Sequence, residues 1–113
     1  MSMISYEGIG EVAVTVGMTD EVKAGMVVRM QENEMACSCA DGELFCGVAM
    51  KQGGSFGTMQ VKGFVCVPYS GEITLGWAEL VANGIGGVRA GANGVRVMVA
   101  HVDTAEHTAV ICL

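Results

Sequence analysis

Cys37-Ser38-Cys39, with Cys46 a short way on, is the densest group of potential metal ligands or nucleophiles in this chain. Zinc knuckles set thiolates two to four residues apart and need a second matched pair elsewhere. Cys37 and Cys39 share one strand face by two-residue periodicity, and Cys46 is expected to face them across a hairpin turned at Asp41-Gly42. That arrangement offers three thiols and no fourth ligand. Buried free cysteines behaving as small apolar side chains explain it better, and Cys66 and Cys112, each in an apolar run, read the same way. No metal and no other cofactor is expected.

A cysteine–histidine nucleophile requires a thiol within about 3 Å of an imidazole that a further group orients. Only His101 and His107 are available. His101 continues the face of Val95, Val97 and Val99, with Asp103 beyond it, which a polar strand end explains equally well. His107 follows Glu106 in a solvent-facing turn. The glycine-rich stretch 84–88 is not followed by an opening helix, and no Walker lysine follows any glycine loop, so phosphate binding is not expected. The chain does not read as an enzyme.

The elements that must position these groups are short and β-branched. Val12, Val14 and Val16 alternate with Ala13 and Thr15; strands follow at 26–30 and 35–40, and 44–50 returns from the Asp41-Gly42 turn. The run 58–67 reads as the longest strand, with Val61, Val65 and Val67 on one face and Lys62, Phe64 and Cys66 on the other. Pro68 ends it, because proline cannot donate to a ladder. Val95, Val97 and Val99 form another alternating run, and 108–113 closes the chain with Ala109, Ile111 and Leu113 on one face. The stretch 77–83 is either a single helical turn or a short strand. Strand-poor connections are expected at 17–25, 51–57 and 68–76. The fold class is all-β: a small, mostly antiparallel β-barrel or compact β-sandwich of short strands with glycine-rich turns. Residues 1–9 read as a flexible N-terminal arm and 10–113 as a single β domain.

Composition narrows the partners. Of the 113 residues, 51% are apolar and only 16% charged. Soluble monomers usually carry more surface charge, so part of this surface, with its nine methionines, is expected to be covered in a homo-oligomer. Twelve acidic residues against six dispersed basic ones give a net charge of -6, which disfavours nucleic acid and anionic membranes. No apolar run approaches the roughly eighteen residues a spanning helix needs. The start, MSMISYEGIGE, has neither a basic region nor an apolar core of a secretion signal. Synthesis in the cytoplasm with reduced thiols is the expectation.

The succession of segments resembles a family of small structural proteins of phages and prophages, the capsid decoration proteins. The likeness covers about residues 10–113. It runs through Val22-Lys23-Ala24-Gly25-Met26-Val27-Val28, then Gly47-Val48-Ala49, then Val61-Lys62-Gly63-Phe64-Val65-Cys66-Val67-Pro68, and ends in valine-rich terminal strands. The resemblance implies a virion or prophage particle component, made in the bacterial cytoplasm, that is trimeric or otherwise symmetric and packs on a major capsid protein. It supplies no catalytic residues, and the cysteine group departs from the family's pattern. A second, shorter likeness is that of Ala49-Met50-Lys51 to the modified-lysine turn of biotinyl domains, from which Gln52-Gly53 departs. It leaves a ligand-binding or carrier β domain as the alternative function, ahead of a cysteine-dependent enzyme.

Large adaptable side chains favour the centres of protein interfaces. On that ground the candidate contact residues are Met1, Met3, Ile4 and Tyr6 in the arm, with Tyr69 and Trp77 near turns.

Overall fold

Two-residue alternation becomes strand throughout the computed structural model, which describes residues 10–53 and 55–113. In chain order the strands are β1 (Val12–Met18), β2 (Val27–Glu32), β3 (Met35–Ser38), β4 (Gly47–Gly53), β5 (Phe56–Lys62), β6 (Phe64–Pro68), β7 (Gly76–Ala82), β8 (Val88–Ala90), β9 (Val95–Asp103) and β10 (Thr108–Cys112). The first five close a barrel in the order β1-β3-β2-β4-β5, and the last five form a sheet in the order β6-β10-β9-β7-β8. The β1–β3 pair is parallel, as is a bridge between Tyr69 and Val88; the other strand pairs run antiparallel. The fold is therefore all-β and mostly antiparallel, a closed barrel beside a second sheet. None of the described residues is helical, and 77–83, left open between helix and strand, lies largely in β7.

Adjacent apolar residues mark a strand buried on both faces, since neighbours along a strand point opposite ways. Val27-Val28 in β2 and Val48-Ala49 in β4 are such pairs. Val28 and Ala49 join Met18, Val22, Ala36 and Met59 inside the barrel. Val27 and Val48 point the other way, into a larger core with Phe45, Val67, Leu80, Val88, Val97, Val99 and Ile111. Strands β2 and β4 are thus a shared wall, and the second sheet covers its outer side. Each fully buried Val, Leu or Ile contributes about 1.5–3 kcal/mol relative to exposure.

The connection between β3 and β4 ties the halves together. Gly42 N donates to Ala82 O at 2.8 Å, and Ala82 N donates to Glu43 O at 2.9 Å. The Arg89 guanidinium reaches Asp41 at 2.8 Å, while Glu43 takes the Ala40 amide at 2.6 Å and Arg29 at 3.1 Å. The Ala40 amide holds the Glu43 carboxyl below the usual range against an opposing effect of desolvation, and Arg29 beside it acts in the same sense as the amide.

Three sequence expectations change in three dimensions. The run 58–67 is two strands in two sheets, parted at Gly63, whose φ of 96° breaks the extended chain. A buried Gln60 spans that corner, donating from its amide to Lys62 O at 3.0 Å and Phe64 O at 2.9 Å. Asp41-Gly42 does not turn a hairpin: β3 and β4 lie on opposite sides of β2, and the intervening chain is drawn onto β7 instead. The connection expected at 51–57 is largely strand, because β4 and β5 pair as far as Gly53 opposite Phe56.

Candidate functional site

Alternation along β7 and β9 sends Ala78, Leu80, Val95, Val97 and Val99 towards the core and leaves Trp77, Glu79, Arg96 and Met98 outside. Register then assembles a row. Trp77 lies opposite Met98, Met98 opposite Cys112, and Cys112 opposite Phe64. Directly opposed residues share a face with Cβ atoms about 4.5–5.5 Å apart. Four apolar side chains from β7, β9, β10 and β6 therefore cross the outer face in one line. Beside it, Val110 stands between Cys66 and His101.

Trp77 is 65% exposed, and the Arg96 guanidinium sits 5.2 Å from its ring centroid. That cation–π contact fixes an aromatic side chain which the core does not hold. Phe64, Met98 and Cys112 are half-buried, and Cys66 is exposed. The row offers shape and apolar area, with Glu79 and Arg96 as a polar margin. It offers no reactive pair.

The thiols are spread over different depths. Cys37 and Cys39 are buried, as expected, but Cys66 is exposed and Cys112 only half-buried. The expectation for those two fails because β6 and β10 carry one face into the core and the other to the outside. Cys46 is on the far side of β2 from β3, its amide donating to Val28 O at 2.9 Å. Burial, then the Glu43 carboxylate and Cys37, push the Cys39 thiol up to about 11, with Arg29 acting in the opposite sense. Cys46, expected to be buried with Cys37 and Cys39, is exposed, although partial desolvation still raises its thiol. Nucleophilic cysteines are shifted the other way, towards thiolate. Among the described residues no three His, Cys, Asp or Glu side chains converge as metal ligands. An alkylating reagent at neutral pH is expected to modify Cys66 and Cys46 well before Cys37 and Cys39. Peptide mass spectrometry reads the order, and early labelling of Cys39 in the folded protein would contradict the burial described here.

His101 does not continue the face of Val95, Val97 and Val99. A bulge places Val99 opposite Ile111 and His101 opposite Val110, so the imidazole turns outward. Cys66 is two strand spacings from it across Val110, roughly 9–10 Å, beyond the reach of a nucleophile–base pair. Asp103 caps its own turn, accepting from the amides of Ala105 and Glu106 at 3.1 Å each. His107 is in that exposed turn with a φ of 54°, its ring 5.9 Å from Tyr69. In the 84–88 loop, the Asn83 side chain already takes the amides of Ile85 and Gly87, at 3.0 and 2.9 Å. Lys51 is exposed but lies within β4, opposite Thr58, rather than at the tip of the hairpin.

Of the candidate contact residues, Met1, Met3, Ile4 and Tyr6 lie outside the described residues. Tyr69 is in the main core at 7% exposure, and Trp77 stands on the open face. Sequence reasoning passed over Phe64 and Met98, because their alignment with Trp77 depends on register. It also passed over Phe56, 65% exposed at the start of β5. An aromatic residue beside a glycine turn was the available signal. Compared with known proteins, the chain matches no protein-family model and no curated sequence.

Proposed function

We propose that this chain is a non-enzymatic structural protein that attaches to and reinforces a larger protein shell, as head decoration proteins of phages and prophages do. The observation that carries the reading is the outward row Trp77–Met98–Cys112–Phe64, with Trp77 held over Arg96. A rigid aromatic anchor within an apolar strip is the form of an interface centre, where burial of large side chains dominates binding. The resemblance of segment order supplies the kind of partner, a major capsid protein, and the particle surface as the place of action after synthesis in the bacterial cytoplasm.

The test is to induce the prophage in the encoding bacterium, purify particles by density gradient and quantify this chain by mass spectrometry. Constant stoichiometry with the major shell protein is expected, together with loss of binding by a Trp77→Lys variant that folds normally. Particles that form without the chain, while it stays in the soluble fraction, overturn the reading.

A further inference from the structure

Among the described residues, the barrel closes at one end only of β1. This strand pairs with β5 from Val12 to Gly17, but with β3 only through Gly17 and Met18. Gly17 N donates to Glu34 O at 2.8 Å, which marks the β3 side of the strand. Backbone groups of alternate residues point to the same side. The amides and carbonyls of Ala13 and Thr15 therefore face that side too, beyond the point where β3 begins. Among the described residues no strand pairs with them. Residues 12–15 are exposed and Val16 is half-buried.

Free edges in soluble β proteins are usually blunted by charge, proline or a covering segment. Residues 12–16 read Val-Ala-Val-Thr-Val, with no charge, proline or glycine. Charges enter only at the ends, with Glu11 before the strand and Glu32 and Glu34 at the turn between β2 and β3. The stretch is also self-complementary. Around a two-fold axis at Val14, an antiparallel copy sets Ala13 against Thr15 in pairs that exchange both backbone hydrogen bonds. It sets Val12 against Val16 and Val14 against its own counterpart, with no like charges opposed. These are β-branched pairs of the kind that stabilise a sheet. Val12 and Val14, 49% and 38% exposed, leave water together.

We infer that the open edge of β1 is a self-association site at which two copies of this chain pair antiparallel through residues 12–16, joining their barrels into one continuous sheet. The site is separate from the Trp77 face, so the inference does not rest on the shell-binding reading. A two-fold interface of this kind uses the same patch on both copies. It makes a dimer rather than the trimer that the family resemblance favours.

Light scattering of the full chain at micromolar concentration is expected to give twice the 11.7 kDa chain mass. Val14→Lys puts like charges on the axis at an exposed position and is expected to give the monomer mass with unchanged circular dichroism. Trp77→Lys is expected to stay dimeric, which separates this test from that of shell binding. Hydrogen exchange gives an independent readout. The Ala13 and Thr15 amides should exchange about tenfold or more slower in the dimer than after dilution to monomer. If Val14→Lys does not fold, that concentration dependence in the unaltered protein decides the matter. A monomer or trimer mass, a Val14→Lys dimer, or protection independent of concentration (the edge then being covered by the chain's own first residues) overturns the inference.

Discussion

Ile111→Ala is expected to lower stability by about 3 kcal/mol, within the roughly 2–5 kcal/mol seen for Leu, Ile or Met truncated to Ala in packed cores. Ile111 is fully buried in β10, between β6 and β9, and belongs to the larger core against the shared wall. Truncation removes most of an aliphatic side chain from a site with rigid sheet on both sides, so little collapse can fill the space. Against a total of about 5–15 kcal/mol, such a loss is severe. Urea unfolding followed by tryptophan fluorescence measures it. Ile85→Ala, the same truncation at an 82% exposed position, is the control and should stay within about 0.5 kcal/mol. Equal effects of the two substitutions would mean that the inner face of the second sheet is not a core.

Gly63→Val should be at least as damaging, for a different reason. A Cβ at this position meets Gly10 O at 2.7 Å, Gly10 C at 2.8 Å and Glu11 Cα at 2.9 Å, all of them backbone. The residue also has a φ of 96°, a conformation that a β-branched side chain resists. Backbone strain of about 1–3 kcal/mol and overpacking of about 1–3 kcal/mol act together. The corner held by Gln60 must open to relieve them. Gly71→Ala provides the comparison: its φ is also positive, at 72°, but nothing lies within 4 Å of the added Cβ. It should cost about 1 kcal/mol. Equal midpoints for the two variants would show that the approach of residues 10 and 11 to Gly63 is not a close one.

Strands were legible where alternation was clean. The valines of β1 and β9 announced strands, and Val27-Val28 and Val48-Ala49 sat in strands that prove to be buried on both faces. Pairing was harder to read, because it depends on partners distant in the chain. Asp41-Gly42 has the chemistry of a hairpin turn, yet hydrogen bonds to Ala82 hold that segment elsewhere. Gly63 interrupts an alternating run that otherwise reads as a single strand, and only its left-handed backbone reveals the corner. At the candidate site Trp77 was nameable from composition. Its neighbours Met98, Cys112 and Phe64 were not, since one residue of slip in any pairing sends them to the other face. The bulge that turns His101 outward is such a slip.

The shared wall also bears on biosynthesis. Every barrel strand precedes Gly63, and every strand of the second sheet follows it. As the chain leaves the ribosome, the barrel has all its strands before the second sheet has any. Its pairings close within residues 12–62, and domains generally fold as units during synthesis. Val27, Phe45 and Val48 nevertheless stay uncovered until β6–β10 arrive. The nascent barrel thus carries a sticky patch for as long as the second half takes to be translated, and a pause in translation shortly after Gly63 prolongs its exposure to aggregation.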